Sequence, residues 1–253
     1  MRIAVKFAYD GSKFYGYARQ PRLKTVEGEI IKTLFQHGII EDTKKSRFRS
    51  ASRTDKGVSA LGNVVAFNTD FIRADILQKL NEDLTDIIVY GTACVDAEFY
   101  PRYAKRRSYR YYLKRKDLEI DKILSAAASF TGEHNFSNFA RVEESKDPIR
   151  IIDNVVVAEK DDFLIVDFYA QTFLWHQIRR IISAVEKVGS GKLEEERIIE
   201  ALCSPDKKVD FGLASAEPLI LKDIVYDFDF EYDKNYLKTL NDLENRIAES
   251  LSN

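Results

Sequence analysis

The chain has 253 residues, 45% hydrophobic and 32% charged, which suffices for a core without covalent staples and excludes a disordered or low-complexity protein. Cys94 and Cys203 are far apart with no Cys-x-x-Cys spacing, so neither a disulfide framework nor a zinc site is expected, and a reducing, cytoplasmic location fits best. A net charge of -2 argues on average against a nucleic-acid partner, but residues 1–115 carry 22 Lys+Arg against 13 Asp+Glu, while residues 116–253 carry 17 against 28.

Residues 2–9 alternate as a strand, and Asp10-Gly11 supplies turn chemistry before the aromatic, basic stretch Phe14 to Gln20. The opening segment lacks an apolar signal core. No later stretch approaches the about 18 apolar residues of a membrane span, so neither export nor anchoring is expected. A helix starts at Thr25, with Val26, Ile30, Ile31, Leu34 and Phe35 as its apolar stripe and Gly38 as its stop. Residues 47–51 and 62–68 read as extended, 74–82 as helical and 86–97 as a strand. The pattern breaks at Ala97 to Pro101, where the domain boundary is placed, giving halves 1–100 and 101–253. A basic strand follows from Arg106 to Leu113. The second half then repeats the mixture: helix 121–130, strands 151–159 and 163–170, helices from about 174 to 188 and 194–203, and a strand at 219–230. Residues 232–250 form an acidic amphipathic helix through Tyr236, Leu240, Leu243 and Ile247.

The polar loop Ala51 to Ala60 stands between apolar strands and carries Asp55 flanked by Arg53, Thr54 and Lys56. Cations and donors beside a carboxylate keep it ionised and ready to attack an electrophilic carbon, and Gly57 lets backbone approach a ligand closely. On local pattern alone, a solvated Thr-Asp turn explains the same residues. The three histidines, His37, His134 and His176, have no metal-ligand spacing to one another or to a cysteine.

Several separated segments together resemble the TruA family of tRNA pseudouridine synthases. Tyr9 to Pro21 is similar to that family's opening strand and loop, Thr25-Val26-Glu27-Gly28-Glu29 to the start of its first helix, and Arg53 to Ala60 with Asn63 to Phe67 to its catalytic loop and following strand. Phe99 to Arg102 and Arg107 to Tyr111 resemble the segment carrying an active-site tyrosine. Thr131 to Phe139 matches a mid-chain landmark, Phe173 to Arg180 a helix presenting an arginine, and Glu217 to Leu221 a pocket floor. Ser52, Lys56 and Ser59 stand where bacterial members usually carry Gly, Ala and His, and the Lys56 and Ser59 form is closer to archaeal and eukaryotic relatives.

The resemblance implies an α+β fold of two similar halves joining mainly antiparallel sheets flanked by helices, with a central basic cleft. It implies Asp55 as catalytic carboxylate, Tyr109 stacking on the uracil or helping to remove the C5 proton, and Arg179 partnering the aspartate. Arg19, Arg53, Arg102, Arg107, Arg110 and Leu219 are the expected substrate-binding residues, with arginines near aromatics suiting an RNA groove. The implied substrate is a uridine at roughly positions 38 to 40 of the tRNA anticodon stem-loop. The implied enzyme is a homodimer working without cofactor or metal. Two other readings use the same residues: a non-catalytic RNA-binding module, and a hydrolase of a small glycoside or phosphate ester. The latter normally needs a second placed carboxylate or a metal.

Overall fold

A computed structural model of the protein describes residues 1–144 and 146–252. In chain order its elements are β1 (Arg2–Tyr9), a 3₁₀ turn (Gly11–Lys13), α1 (Val26–Gln36), β2 (Arg49–Ser50), β3 (Ser59–Asn68), α2 (Arg73–Asp83) and β4 (Ile87–Val95). Then come β5 (Arg106–Lys114), α3 (Ile120–Ala128), β6 (Gly132–Asn135), β7 (Ile149–Ile152), β8 (Asn154–Lys160) and β9 (Phe163–Ala170). The chain closes with α4 (Gln177–Gly189), α5 (Glu196–Cys203), β10 (Leu219–Val225), β11 (Glu231–Tyr232) and α6 (Lys234–Ser252). It is an α+β protein with a mainly antiparallel arrangement of strands. Among the described residues no helix is long and apolar enough to cross a membrane.

Two compact units are present, Met1–Lys105 with Ile220–Asn253, and Arg106–Leu219. The break after Lys105 lies close to the expected boundary, whereas the last segment returns to the first unit instead of ending the second. In the first unit β1 is antiparallel to both β3 and β4, and β10 lies parallel to β3 with Ile220 opposite Ser59 and Leu221 opposite Ala60. All eight residues of β1 are buried, including Lys6, which is 4% exposed. A buried ammonium needs a partner. The returning segment supplies it: Asp223 lies 2.5 Å from Lys6 Nζ, and the Phe230 and Tyr232 rings lie within cation–π range at 5.1 and 5.7 Å. Gly62 permits this approach, since a Cβ there would meet Asp223 Oδ1 at 2.7 Å.

This return also changes the charge picture. The first unit holds as many acidic as basic residues, because the acidic segment from residue 220 onward belongs with the basic N-terminal stretch. The expected segregation of charge by sequence halves therefore does not carry over to the compact units, and any attraction for phosphate in the first unit is local. In the second unit β9 lies antiparallel between β5 and β8, while β6 and β7 make a separate hairpin. The expected strand 151–159 divides at Asp153, since β7 pairs with β6 and β8 with β9. The expected strand 219–230 likewise stops at Val225, and only Glu231 and Tyr232 resume pairing, on β4.

Candidate functional site

The loop between β2 and β3 carries Asp55 and is held from both sides. Ala51 N–H donates to Val64 O at 2.9 Å and Asn63 Nδ2 to Ser52 O at 3.0 Å, which sets the loop's first residues against β3. Tyr17 N–H donates to Thr54 O at 3.2 Å, and the Tyr9 hydroxyl lies 2.8 Å from Thr54 Oγ1, so the residue before Asp55 is fixed twice. Val58 N–H closes the turn on Asp55 O at 3.2 Å, around Gly57 at φ 89°. Gly57 thus occupies the left-handed region that other residues enter only at a cost. Asp55 itself is half-buried, and Arg53 and Lys56 on either side are exposed. Lys56 Nζ lies 4.7 Å from the centre of the exposed Tyr15 ring.

Beside this loop the first unit forms a groove of about 450 Å³ lined by Arg19, Arg49, Arg53, Arg102 and Lys44, together with Glu27, Ser50, Thr43, Phe48 and Tyr100. Three of the expected substrate-binding residues, Arg19, Arg53 and Arg102, are thereby brought together from segments as distant as 19 and 102. Glu27, in the first turn of α1, organises the floor. Its carboxylate accepts from Arg19 N–H at 3.2 Å and from the Ser50 hydroxyl at 2.9 Å, and lies 3.6 Å from Arg19 Nε. Sequence reading missed Glu27, Lys44, Arg49 and Tyr100, because no spacing along the chain brings those four segments together.

In the second unit Arg107, Tyr109 and Tyr111 share one face of β5 by strand alternation, and Arg110 takes the other. Tyr109 is half-buried, sits opposite Phe168 on β9 and meets the Phe173 ring edge to face at 5.3 Å. Arg107 is 5% exposed and donates to Gln171 O. Arg110 forks onto Asp167 through Nε and Nη2, both at 2.8 Å, a bidentate pair across β5 and β9. Arg107 and Arg110, both expected to bind substrate, thus each have a partner on or next to β9 within this unit.

Arg179 stands in the first turn of α4, which begins at Gln177 and not near 174, since His176 adopts φ 63° ahead of it. Two arginines there oppose the helix dipole, and that turn holds no acidic residue. Backbone acceptors and Asp210 compensate: Arg179 Nε donates to Ala214 O at 2.8 Å, Ala214 N–H returns to Arg179 O at 3.1 Å, and Arg180 pairs with Asp210 at 2.8 Å. The segment after Ala214 lies along β5, with the Tyr111 hydroxyl donating to Ser215 O at 3.2 Å and Tyr112 N–H to Pro218 O at 3.1 Å. Leu219 ends that segment, 6% exposed. Burial pushes the Tyr111 phenol well above its usual range, Glu186 adds to the rise, and nearby Arg179 opposes it. Arg179, Leu219 and the strand of Tyr109 therefore belong to one connected framework.

Residues 126–227 match the family model described as tRNA pseudouridine synthase. A tRNA pseudouridine synthase A of Thermococcus sibiricus is 46% identical over 237 residues, covering 92% of this chain and 88% of the relative. Its namesake from Thermococcus kodakarensis is 41% identical, covering 100% of this chain and 96% of the relative, and that of Pyrococcus furiosus is 42% identical over 94% and 89%.

Proposed function

The chain belongs to the tRNA pseudouridine synthase family, and from that premise we propose how its residues isomerise uridine to pseudouridine in tRNA. The enzyme is an isomerase. Its reaction breaks the bond from N1 to the sugar, turns the base, and joins C5 to the same sugar carbon, while the proton on C5 departs. No electron is gained or lost and no water is added to the product.

In this reading Asp55 is the catalytic carboxylate. The observation that carries it is the half-buried position of Asp55 in a loop fixed by backbone and side-chain hydrogen bonds immediately before and after it, next to a groove of four arginines and a lysine. A carboxylate so held loses little orientational freedom on reaching the reacting atoms. Tyr109 stacks on the uracil or assists removal of the C5 proton, and Arg179 supports the charge of Asp55. Leu219 lines the apolar floor. Arg19, Arg53 and Arg102 hold phosphates, offsetting the few kcal/mol that extruding a base costs. Arg107 and Arg110, on the strand that presents Tyr109, complete the substrate-binding set. The N-terminal half supplies the aspartate loop and the C-terminal half completes the site. Targets are uridines 38, 39 and 40 of the anticodon stem-loop, recognised by shape. The enzyme acts as a cytoplasmic homodimer.

Tritium release from tRNA labelled at uridine C5 tests the reading. The parent releases label into water, and Asp55→Asn lowers the rate by on the order of 10³-fold or more while tRNA affinity stays within about twofold. Release by Asp55→Asn at the parental rate would remove Asp55 from the chemistry.

A further inference from the structure

Tyr103 is 83% exposed, more than any other large hydrophobic side chain among the described residues. A single exposed aromatic is ordinary. This one has two neighbours that give it meaning. Its ring centre lies 5.4 Å from that of Tyr100, and Tyr100 lines the cationic groove beside Arg102.

The turn that carries Tyr103 is held firmly. Tyr103 N–H donates to Tyr100 O at 3.0 Å, the Tyr226 hydroxyl to Pro101 O at 2.6 Å, Arg2 Nε to Phe99 O at 2.8 Å, and Lys105 N–H to Val225 O at 2.8 Å. Pro101 and Ala104 on either side of the Arg102-Tyr103 tip are buried. An aromatic ring is thus displayed to water on a backbone that is already ordered, at the rim of a groove suited to phosphates. Aromatic platforms beside cationic tracks are how single-stranded nucleic acid is held without sequence preference, since every base offers a flat face.

We propose that Tyr103 is a stacking platform for an unpaired nucleobase of the RNA substrate, distinct from the reacting uridine, with the adjoining phosphates lying in the groove of Arg19, Arg53 and Arg102. The proposal rests on the reading of this chain as a tRNA-binding enzyme and adds a base contact to it. Tyr103 binds and orients, and takes no part in the chemical step.

The test uses the full chain with tRNA transcript, comparing parent, Tyr103→Ala, Tyr103→Phe and Arg102→Ala. Tyr103→Ala raises KM by on the order of tenfold at unchanged kcat, Tyr103→Phe restores the parental value, and both retain the parental melting temperature. The slope of log Kd against log salt stays parental in Tyr103→Ala and becomes shallower in Arg102→Ala, because stacking releases no counterions. Binding of a single-stranded oligouridylate and of an abasic strand of equal length isolates the base contact: Tyr103→Ala weakens the first and leaves the second unchanged. A parental KM in Tyr103→Ala, a Phe variant as poor as the Ala variant, or equal weakening on both strands overturns the proposal. If the parent itself releases no tritium, the functional reading fails instead, and the two oligonucleotides still decide whether Tyr103 stacks on bases.

Discussion

Gly11 shows how a single position governs the catalytic loop from outside it. A Cβ there would collide with the carbonyl of Val58 and approach the carbonyl carbon of Gly57 to 2.7 Å, and both are backbone atoms that cannot swing aside. Gly11 N–H also donates to Ser59 Oγ at 2.9 Å, so the turn after β1 is seated directly on the end of the Asp55 loop. Gly11→Ala is therefore expected to destabilise the fold by about 1–3 kcal/mol, as overpacking does. It is also expected to lower kcat more than it raises KM, because the loop must shift to admit the methyl group. Urea denaturation and steady-state tritium release measure the two effects. An unchanged kcat in the folded fraction would mean that the loop moves as a unit without disturbing Asp55.

Among the elements, β1 and β10 depend on each other through one ion pair. Lys6 is buried on β1, and Asp223 on β10 keeps 42% of its side chain exposed. Removing the partner of a buried charge costs about 3–5 kcal/mol in a dry interior, and the exposure of Asp223 reduces this to about 1–2 kcal/mol here. Asp223→Ala should thus lower the denaturation midpoint more than Lys6→Met does. The double variant should be milder than the sum of the singles, since it leaves no lysine without its partner. Strict additivity in this cycle would show that the pair is not what holds the returning segment. The segment has other attachments: Lys222 pairs with Glu244 of α6 at 2.5 Å, Leu243 and Ile247 of α6 are buried, and the Tyr232 ring stacks on Tyr90 at 5.8 Å. The C-terminal helix, expected to be acidic, carries as many basic as acidic residues over Lys234–Ser252 and is part of the first unit's packing.

For the whole molecule the relevant electrostatic quantity is local and not the net charge. A chain of net charge -2 binds a polyanion if its cations converge, and Arg19, Arg49, Arg53, Arg102 and Lys44 do so around one groove. Each phosphate deprived of its cation should reduce the slope of log Kd against log salt by about 0.7–0.9. Arg19→Ala, Arg53→Ala and Arg102→Ala should each show this decrement in a salt titration of tRNA binding. Lys105→Ala, whose lysine is paired to Asp227 at 3.0 Å and does not line the groove, should leave the slope unchanged. Equal slopes in all four variants would mean that phosphates lie elsewhere.

The sequence by itself determined the strands and helices whose periodicity is strong. β1 and β9 fall on their expected residues, and α1 begins one residue after Thr25, whose hydroxyl accepts from Gly28 N–H as a helix cap. Motifs that lie far apart also name the family together, and through it the proposed roles of Asp55, Tyr109 and Arg179. What needed the tertiary structure was everything decided by partners distant in the chain. The 151–159 run reads as one strand until two different neighbours claim its halves. The strand after residue 219 reads as part of the second half until buried Lys6 is found paired with Asp223 in the first unit. The groove exists only because residues 19, 27, 44, 49, 53, 100 and 102 meet. Local preference is written in neighbouring residues, whereas burial and charge compensation act through space, and a linear reading has no measure of that distance.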